Sequence, residues 1–141
     1  MDEKVKQAIM DQVRREPFAR KFGIELVNLK PGSSRVEMVF SKDMENIFGM
    51  AHGGAIFALI DTAFETACNS LGTMAVALSV TVNYLAAPAP GAKLIAEARE
   101  INRTRKTGNY DIRVTQHDGE LIAVCQALAY RKGVPLPFLQ A

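Results

Sequence analysis

Residues 46 to 72, NIFGMAHGGAIFALIDTAFETACNSLG, limit how this chain can fold more than any other stretch. A polar, glycine-bearing loop runs into an apolar segment with Ala, Leu, Ile and Phe on nearly every face. An amphipathic surface helix keeps one face charged, so this composition predicts a helix buried most of the way round. The ionisable groups within the apolar segment are Asp61 and Glu65, one turn apart on the same side. Gly53-Gly54 at the start is expected to leave backbone N–H groups uncovered, where the helix dipole is positive. Such a helix needs walls on most sides, and the rest of the chain must supply them.

The flanking segments read as those walls. Val5, Ala8, Ile9 and Val13 recur at helical spacing in residues 2 to 15, and Pro17 ends the pattern. Residues 18 to 22 read as a connecting turn. Ile24, Leu26 and Leu29 predict a strand, Pro31-Gly32 a turn, and Val36, Met38 and Phe40 a second strand. Gly72 is the expected cap of the long helix. Residues 74 to 86, β-branched and apolar on both faces, predict a strand in the middle of a sheet. Two further strands run from Lys93 to Asn102 and through Tyr110, Ile112 and Val114, with a basic bend at 103–108 between them. Asp118-Gly119 signals a hairpin into a last strand, Leu121 to Tyr130, and a tail from Pro135 to Ala141. One long helix and a wholly antiparallel sheet leave a compact α+β solution in which the sheet curls around the helix, the hotdog architecture.

Bulk properties bound the function. A chain of 141 residues is expected to form one domain, 1–141, with room for a core. Its net charge of +2 gives no argument for nucleic acid as a partner. No segment reads as a signal peptide or a membrane span, and Cys68 and Cys125 lack a CxxC spacing. The expected location is cytoplasmic, with no membrane partner.

Asp61 carries the chemistry. A carboxylate in an apolar setting has a raised pKa and is readied for base or nucleophile work, whereas the plain alternative is a locally hydrogen-bonded acid inside a helix. Glu65 reads equally well as a second site group or as a residue pointing to a subunit seam or to solvent. Gly53 and Gly54 either permit a tight start to the helix or hold a carbonyl oxygen on their N–H groups. His52 reads as loop support or a substrate contact. Asn46 is a turn residue or positions water or the carbonyl. His117 is expected at the surface, and no ligand cluster supports a metal. Arg103, Arg105 and Lys106 are where the phosphates of a bound nucleotide would be sought.

Seven residues separate Gly54 from Asp61. Both therefore share a helix face but stand roughly 10 Å apart along the axis, too far for one carbonyl to touch both. A two-fold axis between antiparallel helices would bring Asp61 of one chain to the opening of the other. Two shared sites per dimer, and an inactive monomer, are the expectation.

With these residues in hand, the chain resembles the hotdog-fold thioesterases of the phenylacetic-acid-degradation (PaaI) type. The resemblance rests on Phe22-Gly-Ile, Asn46-x-x-Gly49-x-x-His52-Gly53-Gly54, Leu59-Ile-Asp61-Thr-Ala-Phe64, Ala67-Cys-Asn-Ser70 and Lys106-Thr107-Gly108-x-Tyr110-Asp-Ile112. It implies hydrolysis of acyl- or aryl-acyl-coenzyme A in a homotetramer of two dimers, with no metal and no cofactor beyond the coenzyme A of the substrate. Asp61 would be nucleophile or general base, Gly53 and Gly54 would polarise the carbonyl, Asn46 would position water or help bind the carbonyl, and His52 would support the loop. Glu65, Ser79, Arg103, Lys106, Thr107 and Gly108 would line the substrate. Glu65 stands where relatives often carry a small or hydroxyl residue. The strand-borne Ser of some relatives is replaced by Ala77 in the expected register, with Ser79 two residues on along the same face. A dehydratase using His52 as base, and a non-catalytic acyl-coenzyme A sensor, are the alternative readings on this architecture.

Overall fold

A computed structural model describes residues 1–139; Gln140 and Ala141, the end of the expected tail, lie outside the described residues. Helix α1 (Glu3–Arg15) is capped by Asp2, whose carboxylate accepts the Lys4 N–H at 2.8 Å. Val5, Ile9 and Val13 form its buried stripe and pack with Leu29 and Leu136 in a satellite core. Pro17 disfavours helical backbone at the residue before it, so Glu16 is extended (φ −62°, ψ 117°) and the chain kinks there. The expected turn at 18–22 is instead a short second helix, α2 (Pro17–Phe22), because proline is pre-set for the first helical position.

The strands are β1 (Glu25–Lys30), β2 (Ser33–Val39), β3 (Thr73–Tyr84), β4 (Lys93–Arg103), β5 (Thr107–Gln116) and β6 (Leu121–Pro135). They form one antiparallel sheet in the order β1-β2-β4-β5-β6-β3. β6 runs past the expected end at Tyr130, because β3 continues beside it as far as the Thr73–Pro135 pair. The long helix is α3 (Gly53–Cys68), and it touches all six strands. Small residues let it approach: Ala96, Ala98, Ala123, Ala127 and Ala129 are all buried beneath it. Leu59, Ile60 and Ala63 have no exposed surface, and the Phe64 ring meets Tyr110 edge-on at 5.5 Å. Buried hydroxyls are satisfied locally; Ser34 donates to the Ala63 carbonyl and Thr66 to that of Thr62. The architecture is the α+β sheet-around-helix arrangement that element order predicts.

Two local expectations need correction. The cap of α3 is Asn69, not Gly72; Gly72 (φ +88°) belongs to the following turn, where a Cβ would press on Val5 at 3.2 Å. The helix is buried most of the way round, as expected, and Gly54, Phe57, Asp61 and Glu65 form the one exposed stripe along it. β3 is not central but an edge strand. Its two apolar faces, read from sequence as the mark of an interior strand, leave Leu78 58% and Tyr84 50% exposed on this chain.

Candidate active site

The opening of α3 is a rigid assembly of short-range contacts. Asn46 Oδ1 accepts the N–H groups of Phe48 (2.9 Å) and Met50 (3.1 Å), closing the preceding loop. The His52 N–H donates to the Met44 carbonyl at 2.8 Å, which fixes the residue that caps the helix. Its Nδ1 accepts the Gly54 N–H at 2.8 Å, so that ring nitrogen is the unprotonated one. The Gly54 N–H is thus not bare, as the sequence suggested. The Gly53 N–H is the one that finds no acceptor among the described residues. Tyr84, on β3, donates its hydroxyl to the Gly53 carbonyl at 3.2 Å and ties the opening to the sheet edge. A Cβ on Gly54 would stand 3.0 Å from His52 Nδ1, so glycine there is a condition of the cap.

Farther along the stripe, Asp61 and Glu65 face a cavity of about 600 Å³. Its walls are mainly apolar, with Ile9, Val13, Phe64, Met74, Val76 and Phe138; Arg15 also lines it, and Glu16 joins the two acids from the kink between α1 and α2. Both α3 acids count as exposed on this chain, yet the concave apolar walls leave their carboxylates poorly hydrated. That desolvation raises the pKa of Asp61, with the negative charge of Glu16 adding to it. Glu65 is pushed up to about 8, first by desolvation, then by a hydrogen bond and like charge from Glu16, and last by Asp61. The Cys68 thiol, also on this cavity, rises to about 12 through burial and the same acids and is inert as a nucleophile.

The remaining expected site residues lie elsewhere. A bulge between Ala77 and Ser79 resets the alternation of β3. Ala77 lines the Asp61 cavity as expected, but Ser79 does not share its face; it lines a separate hollow of about 440 Å³ with Thr81, Asn109 and Gln126. Arg103, Lys106, Thr107 and Gly108 are absent from the cavity wall; Arg103 ends β4, Lys106 lies in the turn, and Thr107 and Gly108 open β5. Arg103 Nε lies 3.6 Å from Glu100, which also accepts the Tyr110 hydroxyl at 3.0 Å, so its charge is partly engaged. Sequence reasoning missed two groups. Arg131 holds the bend by donating to the Thr104 carbonyl at 2.6 Å, and Glu16 faces the acids of α3. The Glu-Pro pair that creates the kink was the visible signal for Glu16. Among the described residues no cluster of His, Cys, Asp and Glu could hold a metal, and no helix is long and apolar enough to cross a membrane.

A family description, the thioesterase superfamily, matches residues 48–123, which include α3 from its opening through both acids. The acyl-coenzyme A thioesterase PaaI of Escherichia coli strain K12 is 34% identical over 115 residues, 82% of this chain and 82% of its own length. The solved structure of the E. coli PaaI protein from the phenylacetic acid degradation operon has a TM-score of 0.90 and 30% identity, covering 96% of this chain and 98% of that one. A Streptococcus mutans protein solved bound to acetyl-coenzyme A has a TM-score of 0.76 and 27% identity, covering 80% of this chain and 91% of that one.

Proposed function

We propose, from the premise that this chain belongs to the thioesterase superfamily, that it hydrolyses acyl-coenzyme A thioesters to the free acid and coenzyme A. The observation that carries this reading is Asp61, a carboxyl in an apolar cavity two turns along the helix from a histidine-capped Gly-Gly opening. Desolvation makes that carboxylate a stronger base than one in water.

In the proposed reaction the thioester oxygen sits at the opening of α3, where the Gly53 N–H and the helix dipole oppose the charge that develops on it. His52 keeps Gly54 and the first turn in place and takes no proton from substrate. Asp61 of a second copy either removes a proton from the attacking water or attacks the carbonyl itself to give an anhydride that water opens. Both courses break the C–S bond, release coenzyme A as its thiol and leave the carboxylic acid. The amide nitrogen of Asn46, whose Oδ1 is committed to the loop, is the group available to hold water or the carbonyl.

The need for a second copy follows from the helix: seven residues place the two ends of the site roughly 10 Å apart on one rod. The surface offered to that copy is the outer edge of β3, which carries no charged residue from Thr73 to Tyr84, with Leu85 (55% exposed) and Phe48 (76% exposed) beside the opening. We place the assembled protein as a tetramer of two such dimers, needing no cofactor besides the coenzyme A of its substrate. The two buried free thiols, Cys68 and Cys125, suit a reducing cytoplasm. The basic bend at Arg103, Lys106, Thr107 and Gly108 is assigned to the coenzyme A phosphates, and Ser79 to no step.

The test is thiol release from a panel of acetyl-, medium-chain acyl- and arylacetyl-coenzyme A, compared between wild type and Asp61→Asn. Release by the wild type that collapses in the variant is the expected result. No release from any thioester would overturn the hydrolase reading and favour a binding role.

A further inference from the structure

The cavity that Asp61 faces does not end at the acids. It follows α3 past Phe64 and Cys68 to Asn69, about 12 Å farther along the helix axis. Its far end is closed by α1 and by the short turn Pro137–Leu139, which pack against each other. Ile9 and Val13 of α1 line it and are almost fully buried, and Leu136 and Phe138 line it from the other side. All four take part in the satellite core, against which Met74 of β3 also packs. The wall is anchored as well as packed: the Leu136 N–H donates to the Gly72 carbonyl at 3.0 Å, just before β3 begins.

Polar groups along this length are mostly committed within the protein. Thr66 donates to the Thr62 carbonyl at 2.8 Å, and the Asn69 amide bonds both the N–H and the carbonyl of Ala75, at 2.8 and 3.1 Å. Gln12, Arg15 and Glu16 line the same space but keep contact with water, Arg15 as an exposed side chain. What the interior offers an occupant is therefore apolar contact. A volume of about 600 Å³ is that of a small-molecule pocket and far more than an acetyl group fills. We infer that the acyl group of the substrate runs past Asp61 into this cavity, and that Ile9 and Phe138 form the stop that sets its length. The inference rests on the hydrolase reading and names its substrate class, apolar medium-chain acyl groups. An extended alkyl chain with C–C bonds of about 1.5 Å covers about 12 Å in roughly ten carbons. Each methylene taken out of water along the way favours the transition state about fourfold, until the chain meets the stop. Glu65 flanks this path, and a carboxyl pushed up to about 8 is neutral at pH 7 and tolerates an apolar neighbour.

The test is a ladder of straight-chain acyl-coenzyme A thioesters from acetyl to hexadecanoyl, followed by thiol release. In wild type, kcat/KM is expected to rise about fourfold per methylene and to stop rising at roughly ten carbons. Ile9→Phe, which brings the stop nearer, should move that break to shorter chains. Phe138→Ala, which sets it back, should move the break to longer ones, and a melting curve shows which variants keep the fold. Turnover without a break, or a break that stays put in a folded variant, would overturn the stop and leave the hydrolase reading intact. Independently of turnover, S-alkyl-coenzyme A thioethers of the same lengths, which cannot be hydrolysed, should bind wild type more tightly with each methylene up to the same length, measured by calorimetry. Absence of turnover from every thioester would sink the hydrolase reading, and the thioethers would still decide the cavity. Affinity that does not grow with chain length refutes the inference, and is the result expected if a second copy of this chain fills the space.

Discussion

The two ends of the exposed stripe on α3 are built in opposite ways. At the opening, the loop and first turn are held while the Gly53 N–H stays free among the described residues: Asn46 closes the loop, His52 caps Gly54, and Tyr84 grips the Gly53 carbonyl. At the acid end, Asp61 has no hydrogen-bond partner among the described residues and looks onto apolar walls and other carboxyls. The first arrangement is preorganised to receive negative charge; the second makes negative charge costly and therefore reactive. A thioester needs both, and one rigid helix keeps them roughly 10 Å apart. The contrast teaches that the two functions the proposed reaction needs are built at separate ends of one helix.

The comparison breaks first at the acid end. Asp61→Asn should lower kcat about 10²- to 10⁴-fold, the usual worth of a positioned acid or base, without lowering the thermal midpoint. Thiol release and a melting curve read the two quantities, and undiminished turnover would remove Asp61 from the mechanism. Mixing carries the comparison between chains. Equal amounts of Asp61→Asn and a Gly54→Val opening variant, unfolded and reassembled together, should recover about a quarter of wild-type activity, because half the pairs are hybrids with one intact site of two. Activity no higher than in either variant alone would mean that each chain works by itself.

The opening is probed more gently by Gly54→Ala. Its Cβ would stand 3.0 Å from His52 Nδ1 and displace the cap. A loss of about 1 kcal/mol in stability is expected from the cap alone, measured by denaturant unfolding. A last effect should come from the pH dependence of stability. A carboxyl raised from 4.5 to about 8 on folding holds its proton more tightly in the folded chain, so stability falls as pH rises between those values and is flat above them. Glu65→Gln should flatten that slope, with a melting point close to wild type at pH 4 and higher at pH 8.

Much of this was legible before any coordinates. The apolar run ending in Asp-Thr-Ala-Phe announced the central helix, and alternation located the sheet to within a few residues at most ends. What misled was whatever depends on a neighbour. Two apolar faces on β3 read as burial in the sheet interior, yet Leu78 and Tyr84 stand exposed on this chain. A bulge is one residue of backbone geometry, and it alone moved Ser79 away from the Asp61 cavity. The His52 cap is a matter of ring orientation that Gly-Gly composition cannot encode. Glu16 was hidden because its partners are forty-five and forty-nine residues away in the sequence.

The bare edge of β3 has a consequence for the life of each newly made copy. With Leu78 58% and Tyr84 50% exposed along an uncharged row of backbone donors and acceptors, it leaves the ribosome with an adhesive rim. Its survival in a crowded cell turns on how soon that rim meets its match. Sparse expression is then the hazardous regime, because slow encounters lengthen the time in which unrelated strands can settle on Thr73–Tyr84.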